Sequence, residues 1–574
     1  MAFEKIYSAE LERLNDLGRE FAKENPTIAP YISSRGGDPD VERLMQGFAF
    51  LSAMVRQKLD DELPEFIGDV LSAVGPDLAK PMPSMTVLKL GVTGKSQNGY
   101  LVNADTPFAS LPLEGTSCQF STSWPLTVQP VELSSATVSS NGKGSRLRLT
   151  FDLIGLPLSQ WYGQSLVLYL SGPYPEATAL LIAMRQNLQA LRIFTPENPD
   201  SQSPLKLVFD GLDSDNCLYE TGKTVAQHLR WIREFLAFPE RAFFLKLEGL
   251  DQWSSRVGDR KFCIEFDFSI PAPLLPDLSV EHIAVNAVPA VNLFQSFANP
   301  IALTHLKESY QLTAMDSTPG HVIVHDVISV TGRLQGESQE RIYQSTTELM
   351  ADEGPYKYQV VASEGALRSQ HVHKLRLPFG SAIDLSNRET LSVLMRCSNG
   401  RLPERLRPGS VCLRVADSPE RITVTNVTNP TGFSTPALGK DAMWKIIGHA
   451  RLNLHAILDK DNLKELLQVY LPEGAGDPAR VSAARRRLLG IEDVLVLKDT
   501  RMVRGTRIQG QIIKLQLQQD FFAGNGDLML FGEMLLPFLA GLIGLNSYVT
   551  LVVTNPNSGA QFEWPTLIAP GLML

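Results

Sequence analysis

The hydrophobic pattern changes period near Pro81, and that change limits the folds open to this chain more than any other feature. Before it, apolar residues recur at spacings of four and three, as in helices with one narrow buried stripe. After it, they recur every second residue, as in half-buried strands. Tyr7, Leu11, Leu14, Gly18 and Phe21 make the first stripe, which ends at Asn25-Pro26. The second helix has a marked start, with Asp38 as N-cap and Pro39 at the first helical position. Its stripe is Val41, Leu44, Phe48, Leu51 and Val55, and its other face carries Arg43, Arg56, Lys58 and Asp60. A third helix is expected from Pro64 to Gly75-Pro76. Such stripes suit bundling with a partner, and they equally suit a helical hairpin packed on its own chain.

The remaining pattern implies an α+β multidomain protein. With 574 residues the chain exceeds one hydrophobic core and should divide into about three to four domains. Residues 1–80 form a helical N-terminal segment, 81–275 a β-rich α+β domain, 276–425 a second β-rich domain, and 426–574 a mixed α/β domain. Strands are expected at 85–90, 126–133, 147–153, 165–170, 205–209, 242–247 and 262–268, with helices at 175–191 and 224–236. Further strands are expected at 322–324, 358–361, 411–415, 507–518 and 548–554, whereas 334–358 and 397–410 read as loops. Helices are expected at 441–470, broken near Leu458-Asp459, and at 532–545. The apolar stretch Met534–Leu545 reads as a buried or interface helix with Pro537 near its first turn.

Composition excludes several function classes. Lys+Arg 53 against Asp+Glu 62 gives a net charge of −9, which argues against nucleic acid as the main partner. The run Arg485-Arg486-Arg487 reads as a solvated helix face. Five cysteines at wide spacing, Cys118, Cys217, Cys263, Cys397 and Cys412, offer no Cys-x-x-Cys pair and fit a reducing compartment. The opening residues lack an apolar signal core, and no apolar run of about 18 residues occurs.

Candidate catalytic motifs fail on chemistry. Gly94-Lys95-Ser96 has Lys89 where a phosphate loop needs glycine, and Gly222-Lys223-Thr224 has Cys217 there. His321 and His325 lie about 13 Å apart at strand rise, too far for one metal. They, with His371 and His373, read as polar residues on exposed strand faces, and His449 and His455 as packing or capping groups. No nucleophile elbow is present. A carbohydrate-active enzyme would need two close carboxylates in a cleft, and the sequence singles out none.

Five blocks carry a family resemblance. They are Tyr7–Phe21 with Asp38–Leu63; Phe235–Leu250 (FLAFPERAFFLKLEGL); Val288–Leu303 (VPAVNLFQSFANPIAL); Asn429-Pro430-Thr431 with Trp444–Asn453; and Arg504-Gly505-Thr506 with Phe522–Gly532. In these the chain resembles the TssF family of type VI secretion baseplate wedge subunits. Asn299 stands where that family more often has Asp, and the expected basic residue after Trp564-Pro565 is missing.

The resemblance implies a structural, non-enzymatic role without cofactor. It implies two copies assembled with one TssG into a wedge, wedges ringed around the VgrG spike hub, TssE linking the ring to the sheath, and TssK linking it to the membrane complex. The implied location is cytoplasmic, at the inner face of the inner membrane, with no membrane insertion. An adaptor of another contractile phage-tail-like system is the alternative. Candidate contact residues are Tyr7, Leu11, Leu14, Phe21, Leu44, Phe48, Leu51 and Val55 for a bundle with TssG. Leu535, Leu539 and Leu542 are the candidates for docking a second copy.

Overall fold

The computed structural model describes residues 2–24, 40, 42–56, 80–94, 97–142, 144–219, 227–254, 256, 260–303, 307, 309–315, 317–336, 340–346, 356–364, 371–377, 389–435, 459–472, 476–503, 506–543, 547–557 and 559–568. The third N-terminal helix, the 441–458 helix with Trp444, His449 and His455, and Gly222-Lys223-Thr224 lie outside them, as do Asp38 and Pro39. Helix α1 spans Ala2–Glu24, and a second helix, α2, covers 42–56.

After Pro81 the chain is β-rich, as the change of period requires. Strand β1 (Met85–Val92) lies in a six-stranded sheet beside β5 (Ala287–Val291). Its other neighbour is Ile422–Asn426, so this sheet takes strands from both sides of the boundary expected at 276. Chain order and packing order therefore differ there. A five-stranded sheet holds β2 (Ser145–Leu153) against β4 (Lys261–Phe268). A four-stranded sheet holds β3 (Ser165–Leu170).

The alternation in β2 explains both of its faces. Leu147, Leu149 and Phe151 enter the core, while Arg146 and Arg148 meet acids on β4. Arg146 lies 2.7 Å from Asp267 and Arg148 2.6 Å from Glu265. Opposite charges directly across a ladder fix its register.

A second β unit is built on β6 (Ile323–Leu334) and β7 (Glu389–Ser398), paired antiparallel. Its eight-stranded sheet includes Glu340–Ser345, inside a segment expected to be loop. That strand exposes Ile342 at 73%, so its alternation carries little burial signal.

Between β3 and the C-terminal sheet the described residues include four α-helices. They are α3 (Tyr174–Gln186), α4 (Gln227–Ala237), α5 (Lys460–Val469) and α6 (Pro478–Leu489). Helix α7 (Asn525–Gly541) packs on α3 and α4 and buries almost its whole circumference. An all-round apolar helix belongs in a core. It connects β9 (Thr506–Leu517) to β10 (Tyr548–Thr554), which run parallel, as a crossover helix permits. The hairpin partner of β9 is β8 (Ile491–Val503), the outer strand of that sheet. Helix α7 starts seven residues before the expected 532, so Pro537 sits inside it. Gly532 is required there: an added Cβ would fall 2.3 Å from the ring of Trp564.

Candidate interaction surfaces

The two N-terminal helices pair through their small residues. Ala49 and Ala53 are fully buried, and Glu10 of α1 is 6% exposed. Arg56 pairs with Glu10, and the Ser52 hydroxyl donates to the same carboxylate at 3.4 Å. The Arg56 hydrogen bond holds the Glu10 carboxyl below the usual range. At 100° per residue, Ala49, Ser52, Ala53 and Arg56 share one face of α2.

The large apolar residues lie roughly a third of a turn away, on a face that the described residues leave open. Leu44 is 73% exposed, Phe48 64%, and Leu51 and Val55 60% each. Phe21 at the end of α1 is also exposed, whereas Tyr7, Leu11 and Leu14 are half-buried. Single exposed leucines are ordinary, but a contiguous apolar strip on a helix marks a contact surface.

The C-terminal candidates are placed differently. Leu535, Leu539 and Leu542 are buried within the chain's own core, as are Met534 and Phe538. The expectation that this helix docks a second copy is corrected: its side chains already pack against α3, α4 and β10. The Arg485–Arg487 run is corrected in part as well. The Nε of Arg487 donates to both carboxylate oxygens of buried Asp527. Its guanidinium also covers the Tyr174 ring at 5.3 Å.

His325 and His373 are not on exposed faces. His325 is 2% exposed and His373 8%. His325 is the extra residue of a bulge in β6 opposite β7, which turns its ring onto Tyr219, edge-on at 5.7 Å. Among the described residues no group of three or more His, Cys, Asp or Glu could hold a metal ion.

Three of the blocks that carried the family resemblance hold buried polar joints. In Phe235–Leu250, Arg241 is fully buried, pairs with Glu234, and donates to the carbonyls of Asn216 (2.6 Å) and Gly211 (3.3 Å). Glu240 beside it lies 2.6 Å from Arg480 of α6. In Val288–Leu303, Asn292 Nδ2 donates to Asn399 Oδ1 at 2.9 Å, and the Asn399 N–H donates back at 2.7 Å. In the Asn429-Pro430-Thr431 block, Thr431 accepts from the N–H of Met85 at 2.9 Å. Each joint ties segments far apart in sequence, and unpaired buried polar atoms would be costly.

The family model for "Type VI secretion system, TssF" matches residues 1–569. The chain belongs to the TssF family. A curated family member from Pseudomonas aeruginosa, the type VI secretion system component TssF1, is 25% identical over 98% of this chain and 97% of its own length. Among solved structures, a chain of the TssK-TssF-TssG baseplate subcomplex has a TM-score of 0.78 at 24% identity. It covers 92% of this chain and 99% of its own. A chain of the type VI secretion baseplate complex has a TM-score of 0.61 at 22% identity, covering 98% and 99%. These likenesses show that this TssF-family chain shares their fold.

The sequence pattern did not reveal the exposed apolar residues of β8. Leu495, Leu497 and Met502 are 49%, 39% and 68% exposed.

Proposed function

We propose that this chain is a structural wedge subunit of a type VI secretion baseplate and enters the wedge through its N-terminal hairpin. The observation that carries the reading is the open face of α2, where Leu44, Phe48, Leu51 and Val55 are each at least 60% exposed while Ala49 and Ala53 close the hairpin. A TssG-type partner supplies the helices that cover this face. TssK binds the same wedge, and a second copy of this chain completes it. TssE and the VgrG hub contact the assembled ring. The role is non-catalytic and needs no cofactor, and the assembly sits in the cytoplasm at the inner membrane. No described helix is long and apolar enough to cross a membrane. The buried joints described above suit a subunit that must carry load between partners without coming apart.

Co-expression with a TssG-type partner tests this. The expected product is a complex whose mass corresponds to two copies of this chain and one partner. The chain alone should be polydisperse, because its apolar strip seeks cover. A stable monomer that ignores the partner would overturn the reading.

A further inference from the structure

The outer edge of β8 is unusual for a free strand. It runs thirteen residues, and its only ladder among the described residues is the one to β9. Edge strands are normally protected from further pairing by shortness, proline, bulges or charged side chains, lysine above all. Strand β8 has no proline, a single lysine (Lys498), and one irregularity at its start, between Ile491 and Asp493; its other charges are Glu492, Asp493, Asp499 and Arg501. Past Val494 it exposes Leu495, Leu497 and Met502.

One charged pair on this edge is complementary to its own reverse order. Leu497 is the midpoint of Ile491–Val503. An antiparallel copy centred on Leu497 therefore matches the whole strand. It places Leu497 against its own counterpart and Asp493 against Arg501, twice by symmetry. Both charged residues are exposed. Arg501 is held in place by Asp499 at 3.0 Å and Thr566 at 2.6 Å. Centring one residue earlier, on Val496, would set Asp493 against Asp499 twice, which is repulsive. Centring on Leu495 would leave four residues of β8 unmatched.

We propose that two copies of this chain join through β8, antiparallel about a two-fold axis at Leu497, into one continuous sheet. The pairing rests on the preceding reading for its occupant, the second copy. A self-complementary patch is what a two-fold contact requires. One added strand makes a small interface, so the contact is weak in dilute solution and strengthens where a shared assembly raises the local concentration.

The test uses the full-length chain with Cys412 and Cys217 changed to serine. With Leu497→Cys, mild oxidation should give a disulfide-linked dimer, since opposed residues on paired strands bring their Cβ atoms to about 4.5–5.5 Å. Asp493→Lys should lower self-association about tenfold, from two opposed like charges. Arg501→Glu alone should do the same, and the double variant should restore it. The inference is overturned if no cross-linked dimer forms, if both charge variants dimerise like wild type, or if the double variant is no better than the singles. Cross-linking to a different chain alone overturns it too. Co-purification of these variants with the TssG-like protein depends on α1 and α2, so its loss would speak against the wedge reading and not against strand pairing.

Discussion

Arg487 of α6 and Asp527 of α7 are joined by two hydrogen bonds from one nitrogen, at 3.0 and 3.1 Å. Asp527 also accepts from the Tyr174 hydroxyl at 2.8 Å and from the N–H of Ala523 at 3.0 Å. One carboxylate thus connects three helices, α3, α6 and α7, and the residues just before α7. Asp527→Ala should destabilise the chain by about 3–5 kcal/mol, because it leaves a mostly buried guanidinium uncompensated. Urea unfolding monitored by dichroism reads this directly. A loss below about 1 kcal/mol would place the pair among solvated surface contacts.

Arg241 meets its acceptors as a planar fork: Glu234, the carbonyls of Gly211, Asp213 and Asn216, and the Trp231 ring at 4.3 Å. Lysine keeps the charge but cannot reach all of these. Arg241→Lys is expected to cost about 2–3 kcal/mol, from buried acceptors left unpaired. Thermal melting of the variant measures it. Wild-type melting would show that charge alone holds the 211–218 loop.

His325 gives the chain a defined acid sensitivity. Burial first, and then the neighbouring Lys80 charge, push its pKa down to about 3. In the unfolded chain the ring titrates near 6.5. The unfolded state therefore takes up a proton as pH falls from about 6.5 to 3 while the folded state does not. Stability is highest above this window and declines through it, by up to about 1.4 kcal/mol per pH unit from this group. His325→Leu should remove that slope. Urea midpoints for both proteins between pH 7 and 4.5 decide the matter, and parallel curves would refute it.

Several elements were legible in the sequence because burial on one face imposed the period. The strand expected at 165–170 is β3, that at 548–554 is β10, and that at 262–268 is β4 with one residue added. Elements lacking such a face were missed. Residues 188–191 were read as the end of a helix, but α3 stops at Gln186 and Leu188–Thr195 is a strand beside β4. Strand β8 is exposed on both sides over much of its length, so no alternation marks it. In α7 the buried polar residue Asp527 and two glycines interrupt the apolar run, which hid its first two turns. On α2 the stripe of large residues was legible, but not that the alanines would face α1. A pattern of hydrophobicity cannot tell which of two faces its own chain covers.

The open face of α2 is the centre of the account. Phe48→Asp with Leu51→Asp places two carboxylates on the strip without touching Ala49, Ala53 or the Glu10–Arg56 pair. In a bundle those charges would be buried unpaired, at several kcal/mol each, and each 1.4 kcal/mol is about tenfold in affinity. The decisive measurement is co-purification of the double variant with its TssG-like partner, alongside its melting curve. The account predicts a cooperative melt like that of wild type and no partner in the eluate. Retained partner at wild-type stoichiometry, or global unfolding of the variant, would contradict it.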